Sequence, residues 1–195
     1  GGPLVPPNSP ENPDRSSTPS EGLECTDEEL MTRVQRGDPK AYEVLFQRHQ
    51  ARVYGYLLRR TRSPQMAADL YQETFLRLYR ARHTWKPDRP VKPWLFGIAV
   101  NAARDQARRV RRLPVEVELS PVLQATGEAQ PDTRMDLEAA IGSLPENLRE
   151  AFLLGAVEGF DHREVAAQLE ISPDNARARI SRARARLREI LGEES

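Results

Sequence analysis

The sequence predicts an all-α protein made of two small helical domains joined by a flexible linker. Apolar residues recur at helical spacing in several separate stretches, and no stretch shows the alternation typical of a strand. The apolar fraction is 38% and the charged fraction is 30%, which suits two small helical cores better than one large core. Composition places a disordered leader at residues 1–25, helical domains at 26–112 and 134–192, and an acidic, proline-containing linker at 113–133.

The first two helices are marked by capping residues and by proline. Thr26 is a good N-cap and three acidic residues follow it, so we expect a helix that runs to about Gln35. Gly37 and Pro39 then end one helix and begin the next. The second helix should end near Pro64, where a third begins.

The third and fourth helices carry clear apolar faces. In the third, apolar positions and one threonine recur at i, i+3, i+4, i+7, i+8, i+11 and i+12: Ala67, Leu70, Tyr71, Thr74, Phe75, Leu78 and Tyr79. A loop is expected at residues 83–92. The fourth helix should begin around Pro93 and Trp94 and continue to Arg112 as a basic segment with little left to bury.

The last two helices have the layout of a helix-turn-helix. Ala166 and Leu169 lie on the first of them, and Ser172 is a good N-cap for the second. The turn requires a residue in the left-handed region, which usually favours glycine. Glu170 occupies that position, where a residue with a side chain costs about 1–2 kcal/mol.

The charges are strongly segregated although the net charge is zero. Residues 31–112 have a net charge of +13, and residues 113–133 have a net charge of −4. Residues 176–188 carry six arginines and no acid. This distribution predicts phosphate-binding surfaces on the first domain and on the last helix.

Two sets of residues are candidate contacts to nucleic acid. The front of the last helix can read duplex DNA in the major groove, with these candidates: Ser172, Asp174, Asn175, Arg177, Arg179 and Arg182. The end of the fourth helix and the preceding loop suit single strands, with these candidates: Arg104, Arg108, Arg109, Arg111, Arg112, His83, Trp85 and Lys86. The alternatives are a solvated basic helix in the first case, and in the second a core position for Trp85 and Trp94.

Several function classes are not expected. No catalytic set, glycine-rich phosphate loop or metal-ligand spacing is present, so we expect neither an enzyme nor a bound metal or cofactor. Cys25 is the only cysteine, which excludes an internal disulfide and favours a reducing compartment, the cytoplasm. No apolar run approaches the roughly 18 residues needed to cross a bilayer, so no membrane insertion is expected.

Several motifs in order resemble the ECF sigma factors, the small members of the bacterial sigma-70 family. In the first domain they are Asp27–Leu30, Ala68–Arg77, Pro93–Asn101 and Asp105. In the second they are Leu144–Pro145, Arg149–Leu154, the helix-turn-helix and Arg182–Arg184. The resemblance covers residues 27–112 and 134–191, and it implies a four-helix promoter-melting domain followed by a helix-turn-helix domain.

The resemblance implies a role for each surface. The protein should bind core RNA polymerase through the third helix, on a docking face formed by Asp69, Gln72, Glu73, Leu76 and Arg77. It should melt the −10 element of promoter DNA through the fourth helix, with Asn101 and Asp105 joining the arginines given above. The last helix should read the −35 element as duplex, and an anti-sigma factor is a further expected partner.

Two other classes of protein fit part of the sequence. A helix-turn-helix regulator that binds duplex DNA without replacing a sigma subunit explains residues 144–191 only. A sigma-like decoy that occupies the polymerase without opening DNA would not need the arginines at the end of the fourth helix. Dependence of promoter binding on core polymerase separates the first of these from a sigma factor.

Overall fold

The computed structural model describes residues 24–113 and 133–192, and within these ranges the chain forms eight α-helices and no strand. The first lobe contains α1 to α4, at Asp27–Gln35, Pro39–Thr61, Pro64–Arg80 and Val91–Arg112. The second lobe contains α5 to α8, at Thr133–Ser143, Glu146–Phe152, His162–Leu169 and Pro173–Leu191. The predicted all-α class is confirmed. Residues 1–23 of the predicted leader and 114–132 of the predicted linker lie outside the described residues.

Side-chain caps determine where most of the helices begin. The Thr26 hydroxyl accepts a hydrogen bond from the Glu29 backbone N–H at 3.2 Å, and the Glu29 carboxylate accepts one from the Thr26 N–H at 2.9 Å. This reciprocal capping box satisfies two of the backbone donors that a helix leaves unpaired at its start. Other N-caps stand before α2, α3, α7 and α8, at Asp38, Ser63, Asp161 and Ser172.

Helix α4 begins at Val91, two residues before the predicted start. Proline is tolerated at Pro93 because the first four N–H groups of a helix have no partner within the helix. The Val91 N–H instead donates to the carboxylate of Glu28 on α1 at 3.0 Å. This contact crosses more than sixty residues of sequence, and local patterns therefore do not reveal it.

The core of the first lobe lies where its four helices meet. Its fully buried side chains include Leu30, Val34, Leu57, Leu78 and Phe96. Aromatic rings extend this core between α2 and α3, where the rings of Phe46 and Phe75 pack edge to face with centroids 4.8 Å apart. Such contacts add to the apolar burial that stabilises the lobe.

A π-helical turn at Leu153–Val157 follows α6, and the sequence did not predict it. A Cβ atom on Gly155 would lie 2.5 Å from the Cδ1 atom of Ile180 on α8. Glycine therefore allows this turn to approach α8 more closely than any other residue would. The π turn thus packs directly against α8, the second helix of the helix-turn-helix.

The two described lobes pack against each other. The rings of Phe96 and Phe160 meet edge to face, with centroids 5.2 Å apart. The Gln168 amide donates to the Pro93 carbonyl at 3.1 Å, which links α7 to the start of α4. The start of the helix-turn-helix is therefore held against α4 in this arrangement.

The turn between α7 and α8 has the predicted left-handed geometry. Glu170 has φ 57° and ψ 44°, and the Ile171 N–H donates to the Ala166 carbonyl at 3.0 Å. This bond satisfies one of the carbonyl groups left unpaired at the end of α7. The turn thus forms although Glu170, a residue with a Cβ atom, adopts the strained left-handed conformation.

Replacing Glu170 with Gly should raise the free energy of unfolding by about 0.5–1 kcal/mol, because relief of backbone strain exceeds the added chain entropy. Urea unfolding followed by circular dichroism measures the change. Glu170→Ala is the matched control, since it removes the same carboxylate but keeps the Cβ atom. Equal stabilisation by both substitutions would assign the effect to the side chain and contradict the prediction.

Asp27 joins α1 to α2 through two hydrogen bonds. Its carboxylate lies 2.8 Å from Nε2 of His49 and accepts from Nη1 of Arg48 at 3.0 Å. The hydrogen bond with His49, followed by the charge of His49 and the pairing with Arg48, lowers the pKa of Asp27 below its usual value, against the opposing effect of burial. A carboxyl group with a lowered pKa in the folded state stabilises that state when it is ionised.

Asp27→Asn should lower the free energy of unfolding by about 1–2 kcal/mol at neutral pH, because both pairs lose the carboxylate charge. The contribution is present above the usual carboxyl pKa and is lost as pH falls through the lowered pKa of Asp27. The difference between wild type and variant should therefore shrink as pH falls below 3.8, the usual pKa of this carboxyl group. Urea unfolding across this pH range measures it, with Asp88→Asn, an exposed aspartate, as the control. A difference that is constant with pH would rule out this role for the charge.

Candidate nucleic-acid interface

The last turns of α4 extend beyond the core of the first lobe. Ala103 is buried, whereas every residue from 108 to 113 is exposed. Four predicted contact residues lie in this exposed segment: Arg108, Arg109, Arg111 and Arg112. Cations at a helix C-terminus are also favoured by the helix dipole. The segment therefore presents a basic surface on a rigid helix.

Two further predicted residues on α4 already have partners. Arg104 is 21% exposed, and its Nη2 donates to the Leu169 carbonyl at 2.6 Å. Asp105 accepts a hydrogen bond from Nη1 of Arg77 at 2.8 Å. Asn101, by contrast, is exposed. The contact of Arg104 with DNA predicted above therefore requires that Arg104 leave the second lobe.

The loop before α4 holds Trp85 inside the first lobe. Its side chain is 2% exposed, and its indole N–H donates to the Arg89 carbonyl at 3.0 Å. The amide of Gln35 fixes the loop by donating to the carbonyls of Arg82 and Trp85, both at 2.8 Å. Trp85 therefore occupies the core position given above as the alternative to a contact with single-stranded DNA, where an indole with a satisfied N–H is stabilised by burial.

The neighbours of Trp85 in this loop remain accessible. His83 and Lys86 are both exposed, so they are accessible to the nucleic-acid contact predicted for them. Trp94 is half-buried and packs against the core. The loop thus presents polar and charged side chains to solvent while its aromatic residue supports the fold.

The front of α8 is largely free for contact with a duplex. Five of the six predicted residues are exposed: Ser172, Asp174, Asn175, Arg177 and Arg182. The sixth, Arg179, is half-buried and lines the cleft between the lobes. Its Nη1 lies 3.7 Å from Oε1 of Glu150 and its Nε donates to the Asn175 side chain at 3.3 Å. The structure therefore separates Arg179 from the other five.

The predicted docking face on α3 combines an exposed apolar residue with a chain of ion pairs. Leu76 is 44% exposed, and it lines an apolar hollow with Pro39, Tyr42 and Tyr79. Asp69 and Gln72 are exposed on the same helix. The structure adds Tyr42 and Tyr79 to the predicted docking face. The helical spacing of apolar residues did not reveal that these tyrosines lie beside Leu76.

Arg77 connects this docking face to α4. Its Nε donates to Glu73 at 2.8 Å and its Nη1 donates to Asp105 at 2.8 Å. The hydrogen bond from Arg77 lowers the pKa of Glu73 below its usual value. The two predicted surfaces of the first lobe are thus linked by one guanidinium group.

Arg60 and Glu150 were not predicted as functional residues. Both are buried, and the Arg60 Nη2 lies 3.2 Å from the Glu150 carboxylate across the boundary between the lobes. The sequence does contain a signal that Glu150 is buried. Glu150 stands four residues before the buried Leu154, at the spacing of residues that share one face of a helix. Buried charges need partners, and such positions point to contacts between distant elements.

Within residues 24–113 and 133–192, no group of three or more His, Cys, Asp or Glu side chains could hold a metal ion. In the same ranges, none of the helices has the length and apolar content needed to cross a membrane.

Comparison with known proteins identifies the two lobes. Residues 45–113 match the family model for Sigma-70 region 2, and residues 134–187 match that for Sigma-70, region 4. The RNA polymerase sigma factor CarQ of Myxococcus xanthus is 40% identical over 167 residues, covering 84% of this chain and 96% of the relative. The ECF RNA polymerase sigma-E factor of Escherichia coli is 33% identical over 176 residues, covering 83% of this chain and 92% of the relative. The chain belongs to the sigma-70 family and is an ECF sigma factor.

Solved structures agree with this family. The sigma factor resembles CnrH, solved in complex with the cytosolic domain of CnrY, with a TM-score of 0.65 and 27% identity. That match covers 87% of this sigma factor and 99% of the other chain. RpoE of Bartonella quintana, solved with the anti-sigma factor NepR, shares the fold with a TM-score of 0.64 at 23% identity, over 80% and 99% of the two chains.

Trp85 should remain shielded when the sigma factor binds single-stranded DNA. In a Trp94→Phe variant Trp85 is the only tryptophan, and we expect blue-shifted fluorescence that neither acrylamide nor single-stranded DNA quenches. Trp85→Ala should lower the free energy of unfolding by about 3–5 kcal/mol, because it leaves a cavity. The Trp85→Phe variant, which retains only Trp94, is the fluorescence control. Quenching of Trp85 by DNA would restore the stacking interpretation.

Proposed function

We propose that this ECF sigma factor binds core RNA polymerase, directs it to one class of promoter and helps to melt the −10 element. The observation that carries the proposal is the exposed arginine segment at residues 108–112, on the same lobe as the apolar docking face. One chain thus has a surface for a protein and a surface for a DNA strand. The protein would act in the cytoplasm with the polymerase, which itself forms the RNA bonds.

Docking on the polymerase uses the docking face on α3. An exposed leucine beside tyrosine rings gives an apolar centre, and Asp69 and Gln72 give a polar rim. Interfaces typically have this arrangement of an apolar centre and a polar edge. The pairing of Arg77 with Glu73 and Asp105 holds the adjoining helices in register.

Melting of the −10 element uses the exposed end of α4. Arginines there can bind the phosphates of a separated strand, and the exposed loop residues His83 and Lys86 offer further contacts. Capture of a base costs a few kcal/mol of unstacking, which the contacts to the single strand must offset. Asn101 supplies an exposed amide that can hydrogen-bond with a base.

Recognition of the −35 element uses α8. Asn175 and Arg177 are exposed near its N-terminus, where the second helix of a helix-turn-helix contacts base edges. Arginine can pair with guanine and asparagine with adenine. Arg182 lies about two turns further along and is exposed for a phosphate contact.

An anti-sigma factor is the proposed regulatory partner. The supporting observation is the likeness to CnrH, which was solved in complex with the cytosolic domain of CnrY. The match covers 99% of CnrH, so both lobes of this sigma factor have counterparts in that complex.

Run-off transcription over fragmented genomic DNA from the source organism tests the proposed function. Core polymerase should give discrete transcripts only when this protein is present. Duplex binding without dependence on the polymerase would instead favour a helix-turn-helix regulator. Core binding without transcripts on any fragment would favour a decoy.

Leu76→Asp should weaken binding to core polymerase by at least about tenfold, because it places a charge at the apolar centre of the docking face. Competition with a fluorescent sigma factor for core polymerase measures the affinity. Leu137→Asp is the matched control, since Leu137 is a comparably exposed leucine in the second lobe. Equal losses in both variants would contradict the assignment of the docking face.

Replacing Arg108 and Arg109 with Ala should reduce the yield of open promoter complex by about tenfold while core binding stays unchanged, because two phosphate contacts are lost. Permanganate footprinting of unpaired thymines measures opening. Arg36→Ala is the control, since Arg36 is an exposed arginine on the first lobe away from α4. Loss of core binding in the double variant would refute the separation of the two surfaces.

A further inference from the structure

A buried carboxylate lies at the junction of the two lobes. Glu150 on α6 is 6% exposed, and three guanidinium groups from three different helices surround it. Its oxygens lie 3.2 Å from Arg60 of α2, 3.7 Å from Arg104 of α4 and 3.7 Å from Arg179 of α8. A buried carboxylate is costly unless it is paired, so these contacts depend on one another.

Glu146 extends this cluster towards solvent. Its carboxylate accepts from Arg60 Nη2 at 2.7 Å and lies 3.9 Å from Arg111. The two glutamates line an open cleft of about 460 Å3 between the lobes, hereafter the interlobe cleft. Five arginines line the same cleft: Arg60, Arg104, Arg108, Arg111 and Arg179. Cations therefore outnumber carboxylates by three in this cleft.

The arginines of the interlobe cleft suit phosphate as well as carboxylate. A guanidinium group binds both anions through the same planar pair of N–H donors. Four of the five arginines, all except Arg60, were assigned above to the DNA-binding surfaces. The carboxylates of Glu146 and Glu150 therefore occupy positions where the phosphates of bound DNA would be neutralised.

The closed arrangement cannot contact both promoter elements at once. One nitrogen of Arg104 and one of Arg179 each lie 3.7 Å from the same Oε1 atom of Glu150, so they are at most 7.4 Å apart, twice that distance. Elements centred near −10 and −35 are about 25 base pairs apart, or about 85 Å of B-DNA. The lobes must separate before both elements are bound, and separation breaks the pairs made by Glu150.

We propose that Glu150 and Glu146 stand in for DNA phosphates in the interlobe cleft, so that closure of the two lobes and binding of DNA exclude each other. The ligand that replaces them is the phosphate backbone of nucleic acid. This inference rests on the DNA-binding role proposed above for Arg104 and Arg179. Closure and DNA affinity are then coupled, and the coupling acts equally in both directions.

The test measures closure and DNA affinity in the same full-length protein. Donor and acceptor dyes are attached at Gln65→Cys on α3 and Glu189→Cys on α8, two exposed positions, in a Cys25→Ser background. Energy transfer reports the distance between the lobes. Titration with a short duplex of random sequence reports the affinity for phosphate without requiring a promoter or polymerase.

Glu150→Gln keeps the shape of the side chain and removes its charge. We expect reduced energy transfer and duplex binding that is tighter by about tenfold, within the range of typical coupling between sites. Glu146→Gln should act in the same direction with a smaller effect. Addition of duplex to the protein with both glutamates intact should also reduce energy transfer.

Glu138→Gln is the matched control. Glu138 also pairs across the lobes, with Arg59 at 3.0 Å, and the substitution removes the same charge from the same lobe. It lies outside the interlobe cleft and its pair is partly exposed to solvent, so energy transfer and duplex affinity should both change much less than in Glu150→Gln. Equal tightening by Glu138→Gln and Glu150→Gln would overturn the inference, because loss of negative charge alone would then explain the affinity.

Unchanged energy transfer in a folded Glu150→Gln variant would also overturn the inference. Circular dichroism shows whether that variant folds, and if it does not, the half-exposed Glu146→Gln variant decides by the same two readouts. Run-off transcription is measured in parallel. Normal transcription by the unaltered protein, together with unchanged energy transfer in Glu150→Gln, overturns this inference alone. Absent transcription by the unaltered protein, together with the expected loss of energy transfer in Glu150→Gln, overturns only the proposed function.

Discussion

The excess of positive charge in the first lobe is the constraint on which the arrangement of this protein depends. Residues 31–112 carry a net charge of +13, and a helical lobe of this size cannot place that many like charges close together without opposing anions. The structure uses two solutions. Arginines at the end of α4 remain in solvent, while Arg60 and Arg104 meet carboxylates and a helix-terminal carbonyl of the second lobe. The same charges that suit the protein to nucleic acid thus also bring its lobes together.

Within the first lobe, the proposed surface for the polymerase and the proposed surface for DNA form one rigid unit. Arg77 donates to Glu73 on the docking face and to Asp105 on α4, so a shift of α3 relative to α4 would break at least one short ion pair. The buried loop around Trp85 ties the basic loop residues to the same core. Contacts of this kind hold a binding surface in a defined geometry before the ligand arrives, which reduces the entropy lost on binding.

Features fixed by neighbouring residues were predictable from the sequence, and features fixed by distant residues were not. Caps such as Thr26 and Ser172 act over three residues, and the left-handed Glu170 follows from the local turn. The early start of α4, the burial of Trp85 and the pairing of Arg60 with Glu150 each depend on contacts with another helix or the other lobe. Helical spacing showed which residues face inward, but it did not show which of the charged ones meet a partner there.

The burial of Glu150 gives a physical reason for a balance between closed and open lobes. Removal of a carboxylate from water is costly, and three guanidinium groups offset that cost only while the lobes are closed. DNA offers the arginines phosphate in place of carboxylate, and opening returns Glu150 to water. The arginines pair with the Glu150 carboxylate in the closed state and with DNA phosphate in the open state. The free energies of these two sets of ion pairs largely cancel, so the difference in free energy between the closed and open states is small compared with either set. A small difference of this kind is what allows a modest gain in phosphate contacts to shift the population of lobes from closed to open.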